Sequence, residues 1–439
     1  MQALFYTLGC KVNQYETQAM MRLMAENGYE TAEYLPGSPD IGDGVIVLNS
    51  CTVTGESDRK LRQLLRRCRR ENPQAVLVLT GCMPQAFPEE AEAFREADIV
   101  LGNAARAALP RYVHQYAAFG HRIVDIPAHG KSFENLSIDA FQGRTRAFVK
   151  IEDGCDRFCS YCVIPRARGR VRSKSLGDLR DELRTLAARG YREIVLVGIN
   201  LTAYGKDTGH TLCDAVEIAC AVSGIDRVRL GSLEPDCLTP DVIARLASPA
   251  CAGLCPQFHL SLQSGCDETL SRMRRRYTTD EYRRVCLELR AAFPGCALTT
   301  DVMVGFPGET EEEFEQSRRF VEEIAFARVH VFAYSRRAGT PAATAPGQIA
   351  RAEKARRAER MAETAAVGRD AFAAAHVGHT VEVLVETRDT PGIAEGYTPD
   401  YLPVRIQAED SALPEPGTIL SVQLTDAAEG LCTGLPAKS

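Results

Sequence analysis

Three cysteines crowd into the run Gly154-Cys155-Asp156-Arg157-Phe158-Cys159-Ser160-Tyr161-Cys162. The spacing C-x₃-C-x₂-C offers three thiolates that can hold three irons of a [4Fe–4S] cube and leave the fourth iron without a protein ligand. An iron left open is a place for a small molecule to bind. Structural zinc wants four ligands, and no fourth Cys or His lies within several residues, which weighs against a zinc knuckle. A disulfide fares worse, because three is odd and nothing in the chain suggests secretion.

Three more cysteines share a different pattern: each ends an apolar, strand-like run. Leu4–Gly9 precedes Cys10, Val45–Ser50 precedes Cys51, and Val76–Gly81 precedes Cys82, with helical stretches Asn13–Asn27 and Glu56–Glu71 between them. Alternating strands and helices imply an open parallel sheet over Met1–Ala140, whose strand C-termini form one rim where ligands bind. Three cysteines on that rim make a second three-thiolate site. The plainer alternative is three small buried hydrophobes, as the mid-helix Cys68 illustrates.

The elements that must position the first trio come next. From Arg146 to Ser335 the spacing predicts strands at Phe148–Glu152, Glu193–Asn200, Arg227–Leu233, Gln257–Gln263, Leu298–Gly305 and Arg328–Tyr334, with helices such as Leu176–Arg189, Thr279–Ala292 and Glu309–Ile324. Six such units give a (β/α)₆ partial barrel whose strand ends face an active site: Gly198 and Asn200, Glu234, Gln263 and Ser264, Asp301, and Tyr334. Gly198 and Gly305 leave space for a close ligand approach. Ala338–Gly347 reads as a linker and Ala350–Ala375 as one charged helix. Short β segments at Val381–Glu386, Tyr401–Ile406, Ile419–Leu424 and Leu431–Gly434 predict a small antiparallel barrel over residues 377–439, able to bind RNA or to cap its neighbour.

The length of 439 residues suits about three domains. No apolar run is long enough to cross a bilayer and the N-terminus lacks a signal peptide, so we expect a cytoplasmic protein with no membrane partner. The net charge of −6 speaks against non-specific nucleic-acid binding by the whole chain, which directs attention to local patches. Arg166, Arg168, Arg170, Arg172 and Lys174 follow the first cysteine trio, and Arg62, Arg66, Arg67, Arg69, Arg70 and Arg274–Arg276 form others. Such patches can steer an anionic loop, or be ordinary solvated faces.

Around Cys155, Cys159 and Cys162 the chain resembles radical S-adenosylmethionine (SAM) enzymes, whose open iron chelates the methionyl amine and carboxylate. The whole pattern, covering essentially all of the chain, resembles the methylthiotransferases: α/β domain, radical-SAM barrel and TRAM-like β-barrel. Thr7-Leu8-Gly9-Cys10-Lys11-Val12-Asn13-Gln14-Tyr15-Glu16-Thr17, Val163-Ile164-Pro165 with Arg168-Gly169, and Phe332-Ala333-Tyr334-Ser335 to Gly339-Thr340-Pro341-Ala342 look like the branch that modifies N6-threonylcarbamoyladenosine at position 37 of tRNA. Lys11-Val12-Asn13 fits neither the isopentenyladenosine nor the ribosomal-protein branch, and Met83 departs from the aromatic that often follows the third cysteine. The resemblance implies two [4Fe–4S] clusters: one on Cys155, Cys159 and Cys162 that cleaves SAM, and one on Cys10, Cys51 and Cys82 that carries the inserted sulfur. A second SAM gives the methyl group. Gly198 and Gly305 would line SAM, Arg166, Arg168, Arg170 and Arg172 would meet the tRNA anticodon loop, and a flavodoxin- or ferredoxin-like donor would supply electrons. A non-catalytic iron–sulfur RNA-binding or electron-transfer protein is the reading from another class, and the barrel's polar strand ends argue against it.

Overall fold

The computed structural model describes residues 1–134, 136–409 and 413–437. Its first layer is a six-stranded parallel sheet ordered β2-β1-β3-β4-β5-β6, with β1 Gln2–Thr7, β2 Glu30–Glu33, β3 Val45–Ser50, β4 Val76–Gly81, β5 Ile99–Leu101 and β6 Ile123–Asp125. Helix α1 (Lys11–Glu26) covers one face and α2 (Gly55–Glu71), capped by Thr54, the other. A strand buried on both faces must be apolar throughout. In β3, Val45 and Val47 meet Met20 and Met24 of α1, while Ile46 and Leu48 meet Leu61 and Leu65 of α2.

The second unit is a partial barrel. β7 (Arg146–Lys150) runs into a short antiparallel ribbon, β8 (Glu152–Asp153) with β9 (Arg172–Ser173), from which the cysteine loop projects. The parallel order is β7-β10-β11, with β10 Glu193–Val197 and β11 Arg227–Leu230. It resumes past Gly231 as β12-β13-β14-β15: Ser232–Leu233, Gln257–Leu260, Ala297–Val304 and Arg328–Ala333. Six parallel rungs therefore form as expected, and the edges β7 and β15 stay unpaired with each other among the described residues, leaving a seam. Ala147, Val149 and Ile151 pack outward under Leu179, Leu183 and Leu186 of the helix Leu176–Ala188. Strand alternation sends Arg146, Phe148 and Lys150 to the other side. Capping boxes at Thr211/Asp214, Thr278/Glu281 and Thr310/Glu313 start three of the outer helices.

The third unit is a closed barrel in the order β16-β17-β18-β20-β19, with β16 Thr380–Thr390, β17 Ile393–Tyr397, β18 Pro403–Gln407, β19 Ile419–Ala428 and β20 Leu431–Pro436. Two corrections arise here. β18 and β20 pair in parallel, so the barrel is not wholly antiparallel, and β17 was not expected. Gly396 hid it: glycine reads as a turn, yet here a Cβ would lie 2.1 Å from the Leu384 carbonyl oxygen.

This small barrel docks on the N-terminal ends of the large one. Arg146 bonds Glu386 at 2.5 Å, Arg227 donates to the carbonyls of Tyr397 and Glu382 at 3.2 Å each, and Arg229 donates to that of Pro399 at 2.9 Å. Tyr397 and Tyr401 stack at 4.6 Å, with Arg146 about 5 Å over both rings. The segment expected as a linker, Ala338–Gly347, instead includes the short helix Pro341–Thr344, and the Ala342 amide donates to Ser160 of the cysteine loop at 2.8 Å. The charged helix spans Arg351–Ala374 and packs across β15.

A buried ion network ties the first sheet to the large barrel. Glu16 of α1, fully enclosed, meets Arg106 at 2.5 Å, Lys150 of β7 at 3.0 Å, and both terminal nitrogens of Arg168. Burial alone would raise the Glu16 carboxyl, but Arg106, Arg168 and Lys150 together hold it well below the usual carboxylate range.

Candidate active site

Only glycine can stand where the cysteine loop leaves its ribbon, because a Cβ on Gly154 (φ +95°) would lie 2.0 Å from the Arg170 carbonyl oxygen. Cys155 donates its amide to Gly169 at 3.0 Å, and the Cys162 amide closes a turn on the Cys159 carbonyl at 3.0 Å. Ser160 anchors the far side of the loop, its hydroxyl donating to Arg272 at 2.7 Å and its amide to Met273 at 3.0 Å. Arg275 turns inward with one nitrogen 3.4 Å from the Cys159 sulfur while pairing with Glu234. Burial pushes the Cys155 thiol up to about 11 and the Cys162 thiol up to about 12, so ligation to iron must displace those protons.

The other trio ends or follows three adjacent strands, β1, β3 and β4, as the parallel-sheet reading requires. Cys10 caps α1, Cys51 follows Ser50, and Cys82 opens the short helix α3 (Cys82–Ala86). Burial raises the Cys10 thiol and takes Cys51 to about 12, and each of the two feels the charge of Cys82. Sequence reasoning missed Asn13. Its side-chain oxygen lies 3.3 Å from both the Cys10 amide and the Cys10 sulfur, and its amide nitrogen donates to Asn49 and to the Ser50 carbonyl. An Asn one helical turn beyond a cysteine was the available signal. Arg168 was placed in the wrong role. Its Nε lies 3.2 Å from the Cys82 sulfur, and α3 packs on the helix Ile164–Arg168 that follows Cys162.

One cavity of about 250 Å³ is lined by Cys162 of the first trio and by Val53 and Thr54, which follow Cys51 of the second. Its wall runs from Val53 and Thr54, just past Cys51, through Tyr161, Cys162 and Ile164 to the strand-end residues Gln263, Asp301, Met303 and Tyr334. Among the buried polar atoms without a protein partner in the described residues are the Tyr334 hydroxyl, on the cavity wall, and Oε1 of Glu152, a residue close enough to Cys155 to influence its thiol. Burial pushes the Glu152 carboxyl well above its ordinary range, while Oε2 accepts the Asn200 amide at 2.6 Å. Orphaned polar atoms and a thiolate trio are what a bound cluster and its ligand would satisfy, so the residues fit the group. Gly198 and Gly305 have protein neighbours instead. A Cβ on Gly198 would lie 2.7 Å from Glu152 Oε2, and one on Gly305 (φ +71°) 2.2 Å from Cγ of Lys354. Ser264 turns to the Cys266 amide at 3.3 Å.

Comparison with known proteins now decides the family. The radical SAM superfamily pattern matches residues 149–321, and that of an uncharacterized protein family, UPF0004, matches residues 2–102. The threonylcarbamoyladenosine tRNA methylthiotransferase MtaB of Bacillus subtilis is 36% identical over 431 residues, covering 96% of this chain and 93% of that protein. The chain belongs to the radical-SAM methylthiotransferase family. The MtaB protein of Thermotoga maritima is likewise 36% identical over 90% of this chain and 89% of its own. A tRNA-2-methylthio-N(6)-dimethylallyladenosine synthase of Oceanobacillus iheyensis is 34% identical over 96% of this chain and 82% of its own. The radical SAM methyltransferase TsrM of Kitasatospora setae shares the fold, with a TM-score of 0.56 at 15% identity over 78% of this chain and 74% of that one. Membership brings a [4Fe–4S] cluster and SAM to this methylthiotransferase. No helix among the described residues is long and apolar enough to cross a membrane.

The basic run of this methylthiotransferase divides by burial, which corrects its expected role. Arg168 is fully buried on Glu16, Arg172 is buried 3.4 Å from Asp153, and Lys174 is buried on Glu182 and Tyr15, so none of the three can meet RNA from solvent. Arg166 and Arg170 are exposed, over Phe87 and Phe158 respectively. On α2, Arg62, Arg66, Arg67 and Arg69 are matched by Glu90, Glu96, Glu71 and Asp98, while Arg70 is exposed. Arg274 and Arg276 remain exposed.

Below the cavity, the barrel lumen is polar. His259 Nδ1 bonds Thr299 at 3.0 Å, its Nε2 lies 3.4 Å from Asp301, and its ring centre is 5.9 Å from that of His330. Lys11 lies close to both edge strands: its Nζ is 5.9 Å over the Phe148 ring of β7, and its charge acts on His330 of β15.

Proposed function

We propose that this methylthiotransferase converts N6-threonylcarbamoyladenosine at position 37 of tRNA to its 2-methylthio derivative, working in the cytoplasm on the anticodon loop. One cavity carries the reading: radical generation and sulfur delivery are separate tasks, and the space lined by Cys162 of one trio is also walled by Val53 and Thr54, which follow Cys51 of the other. The near-full-length likeness to relatives named for threonylcarbamoyladenosine supports the target.

Adenine C2–H is an unactivated aromatic bond that no side-chain base can usefully deprotonate, so a cofactor must supply a radical. Cys155, Cys159 and Cys162 would hold the cluster that cleaves SAM, and Cys10, Cys51 and Cys82 a second cluster. When bound, these supply a 5′-deoxyadenosyl radical and the inserted sulfur respectively, with a second SAM giving the methyl and a flavodoxin- or ferredoxin-like protein the electrons. Arg168 holds positive charge against Cys82 and, through Glu16, keeps the two trios in register. Glu152, whose carboxyl burial pushes well above its ordinary range, leaves Oε1 unpartnered close to Cys155. Arg166 and Arg170, the latter paired with Asp156 at 3.0 Å, are the arginines of the run that stay exposed and could meet phosphate.

A Cys10/Cys51/Cys82→Ala triple variant tests this. It should lose about half the iron and still make 5′-deoxyadenosine from SAM, yet leave its tRNA without a methylthio group. Methylthiolation at the unmutated level would exclude this trio as sulfur source. Nucleoside mass spectrometry on cells lacking the protein separates the targets, because loss of a 2-methylthio-dimethylallyl nucleoside would transfer the reading to the other named branch.

A further inference from the structure

The lumen holds an ammonium for which the protein supplies no counterion. Lys11 has no hydrogen bond or ion pair among the described residues, although the cations around it are matched. Arg146 pairs with Glu386 and Glu193, Arg229 with Glu193, and Lys150 with Glu16 and Asp153. The groups acting on Lys11 are the Tyr401 hydroxyl, Arg146, Arg229 and the Cys10 thiol, so no carboxylate is prominent among them. Asp301, the acidic side chain facing His330, is turned to His259 at 3.4 Å. Lys11 is exposed, so solvent and a ligand can reach its ammonium. An accessible ammonium with no carboxylate beside it is free to form a charge-assisted contact with an anionic group of a ligand.

We propose that Lys11 binds the carboxylate on the N6 substituent of the substrate and thereby selects threonylcarbamoyladenosine. This rests on the target proposed above. The threonylcarbamoyl group ends in a carboxylate and a hydroxyl, whereas a dimethylallyl group has neither and would leave Lys11 unmatched. His330, within the electrostatic reach of Lys11, and Thr299, bonded to His259, offer polar partners for the hydroxyl. Geometry adds a second reason. N6 and C2 flank N1 on one edge of adenine, so the group that grips the N6 substituent and the sulfur that attacks C2 must approach the same edge. Lys11 follows Cys10 directly in the chain and opens the same rigid helix, which fixes one relative to the other.

The test measures affinity of the reconstituted holoenzyme for three anticodon stem-loops that differ at position 37: threonylcarbamoyladenosine, its methyl ester, and plain adenosine. The wild-type enzyme should bind the free carboxylate about tenfold or more tighter than the ester, the value of one charge-assisted contact. Lys11→Met should abolish that difference while leaving affinity for the plain loop unchanged, and Lys11→Arg should restore most of it. The ester comparison needs no variant, so it decides even if Lys11→Met folds poorly. Equal binding of acid and ester by the wild type, or full preference for the acid in Lys11→Met, overturns the assignment of Lys11 and leaves the target standing. A wild-type enzyme that thiolates a dimethylallyl loop and ignores the threonylcarbamoyl loop overturns both.

Discussion

Replacing Glu16 by Gln should unfasten the first sheet from the large barrel. Four buried cations, Arg106, Lys150, Arg168 and Arg172, face three carboxylates, Glu16, Asp153 and Glu134. The amide keeps the shape and can still accept a hydrogen bond, but it removes one of the three negative charges that compensate the buried cations, which costs about 3–5 kcal/mol. Total stabilities run about 5–15 kcal/mol, so the loss is large. Unfolding of several coupled units is not a single transition, and the proper assay is amide hydrogen exchange read segment by segment. Exchange in α1 and β7 should quicken by about a hundredfold or more, while β16–β20 change little. Because Glu16 titrates below its ordinary value of 4.5 when folded, its contribution is present above that pH and lost as pH falls below it. The wild type should therefore lose protection in α1 below about pH 4.5 by a step that Glu16→Gln lacks. A change under about fivefold at neutral pH, or an acid step of the same size in both proteins, would refute the reasoning.

Arg168→Met should move the reduction potential of the cluster proposed on Cys10, Cys51 and Cys82 to more negative values, because a cation 3.2 Å from the Cys82 sulfur is lost; an unshifted EPR-monitored redox titration would contradict this. Replacing Cys155, Cys159 and Cys162 by Ala should remove about half the iron and all cleavage of SAM, and surviving 5′-deoxyadenosine would show that the radical site lies elsewhere. Tyr401→Ala strips the ring that covers Arg146 and Arg229 and should weaken docking of the C-terminal barrel by about 3 kcal/mol. Limited proteolysis would then release that barrel more readily, and an unchanged digestion rate would mean its grip lies in the backbone contacts of Arg227 and Arg229.

Spacing within a short stretch was enough to reveal the cluster chemistry, since three thiols within reach of one cube are a local property of Cys155–Cys162. The device of a strand ending in a cysteine also survives translation into structure, because a parallel α/β sheet gathers its strand ends on one rim whatever the loops do. The strand Ile393–Tyr397 was illegible because Gly396 imitates a turn until the Leu384 backbone arrives beside it. The arginine run misled for a different reason. Alternating Arg166, Arg168, Arg170 and Arg172 look equivalent in sequence, and what separates buried from exposed is Glu16, 152 residues away from Arg168, and Asp153 in the next ribbon strand. Gly198 and Gly305 are likewise explained by Glu152 and by Lys354 of a distant helix. Residue types and local spacing determine which chemistry is available. Whether a charge is paired, buried or left waiting for a ligand, as at Lys11, depends on partners from remote parts of the chain, and only packing decides which of them meet.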